Sequence, residues 1–160
     1  MLTPKTQPQI ERAEVVKIIN MNKDAVVLYG IASKKVKNNA LKNTLIELEI
    51  IHLNLIERLQ QYLGGSKYFR RKAIKPHETF IGGTQRLLGE IEAQFSNTPE
   101  KVFIRNLKDL EERCLHYLEQ TLYEKILTKS LKQSLYRELQ ELRRTYEYMK
   151  SIKESATAVD

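Results

Sequence analysis

Apolar side chains recur at intervals of three and four along most of this chain, as they do in helices that bury one face. Val15, Ile18, Ile19, Asn22, Ala25, Val26, Tyr29, Ala32 and Val36 fall on one side of a first helix, predicted from about Glu11 to Val36. Asn38 and Asn39 stop it and cap the next. A second stripe of Leu41, Leu45, Leu48, His52, Leu55 and Leu59 ends at Gly64-Gly65, a strong carboxy-terminal stop. The other faces of this second helix carry Ile46, Ile50, Ile51, Leu53 and Ile56, more apolar surface than one neighbour can cover. It is therefore expected at the centre of the fold or at a subunit interface, with Ile46, Ile50, Leu53 and Ile56 as interface candidates.

Residues 66–75 read as a loop, and Pro76 opens a shorter helix whose inner side is Phe80, Thr84, Leu87, Leu88, Ile91 and Phe95. Thr98-Pro99-Glu100 is a clean restart, with Thr98 as cap, Pro99 at the first helical position and Glu100 on the positive end of the dipole. The helix it starts is predicted to run to about Leu127. Ser130 and Gln133 form a capping box for a last helix with the stripe Leu131, Leu135, Leu139, Leu142, Tyr146 and Met149. The expectation is an all-α domain over 10–154, with a flexible tail over 1–9 and a frayed one over 155–160. Short connections make the first two long helices antiparallel, and likewise the last two. The long segment between these hairpins is enough to traverse a bundle, giving an up-down-down-up order with one short extra helix in the crossover. A plain up-down bundle with the short helix over one end is the alternative.

A chain of 160 residues suits one domain and excludes a two-lobed enzyme with separate cofactor and substrate domains. Cys114 is the single cysteine, which excludes intrachain disulfides, thiolate zinc fingers, cluster sites and Cys-x-x-Cys redox motifs, and points to a reducing compartment. The amino terminus has no apolar run of the secretory kind, and the longest apolar stretch, Ala25 to Ala32, is far below the roughly 20 residues of a membrane span. A cytoplasmic protein that inserts into no membrane is expected. Gly-x-Ser-x-Gly and Gly-x-x-x-x-Gly-Lys signatures are absent.

Net charge is +7, from 27 basic and 20 acidic residues. Lys67, Tyr68, Phe69, Arg70, Arg71, Lys72 and Lys75 form a basic, aromatic-containing segment that suits phosphates and stacked bases, so nucleic acid or another anionic surface is one candidate partner. The competing reading is a solvated loop after a helix carboxy terminus. Glu49-Ile50-Ile51-His52 matches the Glu-x-x-His element that brings a carboxylate and an imidazole onto one metal. A complete di-iron site needs a second such element and two further inward glutamates, and the last helix, with Glu138 and Glu141, has no histidine. Two readings of His52 follow. In one it is a core imidazole paired with Glu49, Tyr29 or Tyr146. In the other it joins Glu49, His116 and Glu112 or Glu119 around one iron or manganese ion. The face Glu112, His116, Glu119 and Tyr123 equally reads as the exposed side of the third long helix, and Cys114 as a small buried hydrophobe on a stripe with Leu107, Leu110, Leu118 and Thr121.

Asp24, Tyr29 and Ala32, then Leu41-Lys42, Glu47-Leu48, Leu59-Gln60 and the Leu63-Gly64-Gly65 stop, resemble a bacterial family of ferritin-like four-helix-bundle proteins known as a domain of unknown function. The likeness continues more loosely over 78–95, through Glu112-Arg113 and Tyr123-Glu124, to Ile152. The resemblance implies a ferritin-like bundle that associates with itself, with no defined reaction and a link to stress and metals. Val26, His116 and Tyr146 stand where the family pattern has glutamate, glutamate and histidine. These exchanges take carboxylates out of the interior, so the expected protein is a non-catalytic structural or interaction homodimer without a cofactor, the alternative being a partial iron or manganese site.

Overall fold

The computed structural model describes residues 3–64 and 100–158. Among these residues there are four helices and no strand: α1 (Gln7–Lys35), α2 (Asn39–Tyr62), α3 (Glu100–Glu124) and α4 (Lys129–Ala158). The expected short helix, the basic segment and the Thr98-Pro99 cap lie outside the described residues.

Local chemistry sets the helix ends. Thr6 Oγ1 accepts from the Gln9 N–H at 3.3 Å while Gln9 Oε1 accepts from the Thr6 N–H at 2.9 Å. This reciprocal cap, with Pro8 in the first turn, starts α1 at Gln7, so residues 7–9 of the expected tail are helical. Asn38 caps α2 as expected, its Oδ1 accepting from the Leu41 N–H at 3.0 Å. Gly64, at φ 72°, takes the left-handed conformation just beyond that helix. The α3–α4 turn departs from expectation. Helix α3 stops at Glu124, and Thr128 takes the place of Ser130 as the cap of α4, its Oγ1 accepting from the Leu131 N–H at 3.4 Å. Helix α4 continues past Glu154 to Ala158, which shortens the expected carboxy-terminal tail.

The first pair, α1 and α2, packs as one hairpin and α3 with α4 as another. Across the hairpins α1 meets α3 along its length, Tyr29 beside Glu111 and Glu14 beside Tyr117, so these two run antiparallel. Arg58 beside Glu138 ties α2 to α4, which approach one another less closely. The core is built from the expected stripes: Val15, Ile18, Ala25, Tyr29, Leu45, Leu48, Leu55, Leu118, Leu135 and Leu142 are all sealed from solvent. Two of the interface candidates belong to it. Leu53 and Ile56 are buried because α2 packs against α1 on one side and faces α4 on the other, and only Ile46 (38 % exposed) and the half-buried Ile50 remain on the surface. None of the described helices is long and apolar enough to cross a membrane.

Candidate functional site

At one shared level each helix sets a polar side chain into its apolar seam. Ile18-Asn22-Ala25, Leu48-His52-Leu55, Leu107-Glu111-Cys114 and Leu142-Thr145-Met149 all keep the three-and-four spacing of core positions, so the backbone delivers four polar side chains to the middle of the bundle. They meet there. His52 Nδ1 lies 2.6 Å from Asn22 Oδ1, and His52 Nε2 lies 2.6 Å from Glu111 Oε1. Tyr29 adds its hydroxyl to the same Glu111 oxygen and stacks its ring on His52, centroids 5.6 Å apart. Thr145 Oγ1 reaches Glu111 Oε2 at 2.8 Å. Asn22, Tyr29, His52, Glu111 and Thr145 are all buried.

Hydrogen-bond arithmetic fixes the protons. Asn22 Nδ2 donates to the Ile18 carbonyl at 2.8 Å, so its Oδ1 is the atom facing the ring, and that oxygen only accepts. His52 Nδ1 must therefore donate. Nε2 faces a carboxylate oxygen that already accepts from Tyr29, so the ring donates there as well and is an imidazolium paired with a carboxylate. Burial alone would push the Glu111 carboxyl up, yet the charge of His52 and the bonds from His52, Tyr29 and Thr145 outweigh it and hold the carboxyl below its usual range. The Glu111 carboxylate in turn acts upward on its neighbours. Burial and then Glu111 push the Tyr29 phenol and the Cys114 thiol well above their ordinary values, Asp24 adding to the effect on Cys114. Cys114 is thus a buried, inert thiol, as its stripe suggests.

Other inward carboxylates have their own partners at other levels. Glu138 is held by a two-pronged bond from Arg58, both contacts 2.7 Å. Glu11 accepts the Thr128 N–H at 2.5 Å, which lowers its carboxyl, and Glu14 accepts from Tyr117 at 2.9 Å with Lys17 and Lys125 each 3.7 Å away.

The residues of the alternative, metal-binding reading do not converge. His52 turns to Glu111 and Asn22 instead of Glu49, whose carboxylate lies toward Gly30 of α1, a methyl built there coming 3.9 Å from Oε1. His116 faces solvent 3.8 Å from Glu112, its side chain 63 % exposed, and Glu119 is 3.9 Å from Arg143. With Tyr123 72 % exposed, this side of α3 is the solvated face that was the alternative reading. Among the described residues no three potential metal ligands gather. Sequence reasoning missed Glu111 and Thr145, although Glu111 sits midway between Leu107 and Cys114 on a stripe that was traced correctly. The signal was a hydrophilic residue in step with the seam. No family model, curated protein or solved structure matches the chain.

Proposed function

We propose that this protein is a non-catalytic, ferritin-like helical bundle that acts as a structural or interaction protein and pairs with itself through the outer face of α2. The order of the helices supports the ferritin-like reading: α2 and α3 run in the same direction and each is antiparallel to α1 and α4, as in bundles whose hairpins are joined by one long crossover. The observation that carries the reading is Glu111. Both of its oxygens accept hydrogen bonds, from α1, α2 and α4, and its charge is met by His52. A di-iron centre needs four carboxylates converging on two cations, whereas here Glu138 is turned to Arg58 and Glu11 and Glu14 to the end of the bundle. Iron or manganese does not fit these residues, and a sealed layer without a lone nucleophile or an open ligand position favours work done at the surface. Ile46 and Ile50, one helical turn apart on α2, supply an apolar strip for a second copy.

Two measurements test this. Chelator-treated protein titrated with Fe²⁺, Mn²⁺ and Zn²⁺ should take up none stoichiometrically and keep its melting temperature; stoichiometric uptake abolished by Glu111→Gln would overturn the metal-free reading. Sedimentation should give a dimer that Ile46→Asp converts to a folded monomer. A monomeric wild type at high concentration would remove the self-association.

A further inference from the structure

We propose that His52 and Glu111 form an acid-operated clasp between the two hairpins: when Glu111 takes a proton, the α1–α2 and α3–α4 units separate at the centre of the bundle. Among the described hydrogen bonds, the clasp is where a single side chain reaches all three other helices at once. Glu111 on α3 accepts from Tyr29 on α1, from His52 on α2 and from Thr145 on α4. Within each hairpin the helices pack closely, while α2 and α4 meet only sparsely, so separation along this division breaks the fewest contacts. A proton on Glu111 removes the counter-charge and leaves the His52 imidazolium in an apolar centre with Asn22 as its remaining acceptor, an arrangement that costs several kcal/mol unless water enters.

The groups that face Glu111 define the pH response. Tyr29 comes from α1, His52 from α2 and Cys114 from the next turn of α3, with the buried Asp24 of α1 acting on Cys114, and among the described hydrogen bonds α4 contributes the non-titrating Thr145. Tyr29 and Cys114 stay neutral in acid, since their proton affinities are raised. Glu111 is held below the ordinary value of 4.5 when closed and regains it when open. As pH falls below that value the open state binds a proton the closed state refuses, and opening grows about tenfold per pH unit until the closed carboxyl also titrates.

Cys114 supplies the probe, being buried beside the clasp and the single thiol of the chain. Its labelling by dithiodipyridine, which reacts in mild acid, is measured from pH 7 to 3 on the full chain and normalised to urea-unfolded protein. Protection should fall about tenfold per pH unit below the carboxylate range while helicity persists. Glu138→Gln, which removes a buried carboxylate outside the clasp, should follow the wild type, and the double variant His52→Leu, Glu111→Leu should stay protected. If that variant does not fold, Thr145→Val decides: losing one donor to Glu111 should move opening upward by about one pH unit. An unmoved midpoint there, or wild-type opening in the leucine pair, overturns the clasp. The inference rests on the metal-free reading of this centre, and a parallel series with chelator separates the two: opening by chelator at pH 7 contradicts that reading, whereas a missing acid step contradicts the clasp alone.

Discussion

At the amino-terminal end of α1, Glu11 and Glu14 draw their stabilisation from the rim: a backbone N–H at the start of α4, the tyrosine hydroxyl of Tyr117, and two half-exposed lysines. Glu111, at the middle of α3, has no rim to draw on, and every group that meets its charge is another buried side chain. Charge at the end of the bundle is shared with water and can relax when a partner is lost. In the middle it cannot, because each member of the layer holds the others in place and solvent has no path to substitute. The end therefore tolerates change, and the centre specifies which helices meet, the role a single polar residue plays in an apolar seam.

The largest effect that separates the two regions should come from His52→Leu, which strands Glu111: a loss of about 3–5 kcal/mol in urea unfolding. Adding Glu111→Leu to it should restore most of that loss, because an apolar pair of similar size is often neutral or better. Recovery of less than half would mean that Tyr29 and Asn22 depend on the pair more than the geometry indicates. Next comes Arg58→Ala, which leaves Glu138 buried beside a partly solvated position; urea melts should show a loss of about 1–3 kcal/mol. Glu11→Gln at the rim should cost about 1 kcal/mol, the worth of a weakened bond to the Thr128 N–H. On the exposed face of α3, His116→Ala should change stability by less than about 0.5 kcal/mol, and a larger change would place that face against something.

The pH dependence follows the same division. Glu11 and Glu111 both have carboxyls lowered from 4.5, so the stability they contribute is fully present above that value and is lost as pH falls through their folded values. Tyr29 has the opposite sign: raised well above 10.0, it contributes below that pH, and its contribution fades as the medium becomes more alkaline. A stability profile by urea melts should therefore fall at both ends, on the acid side through the two carboxyls and on the alkaline side through Tyr29.

The fold was legible because the apolar stripes of all four helices are regular, and because Asn38 and Gly64 punctuate α2 unambiguously. Boundaries failed where two caps competed: Thr128 with Ser130, and Thr6 with the residues before Glu11. The site was half legible. His52 and Asn22 both fall on inward stripes, and the partners expected of His52 are Glu49, Tyr29 or Tyr146; Tyr29 does stack on the ring, but its acid comes from α3. Spacing along one helix reveals which side chains share a face. It carries no information on which side chain of another helix arrives at the same level, so Glu111 and Thr145 emerged only when the seams were brought together.

The most direct test of the account is the protonation of the His52 ring, read from its two nitrogen resonances in ¹⁵N-labelled protein at pH 7. Protons on both nitrogens in the wild type, and on one nitrogen in Glu111→Gln, are the predicted result. A singly protonated, neutral ring in the wild type would contradict it, and the internal counter-ion on which the proposed metal-free reading rests would be gone.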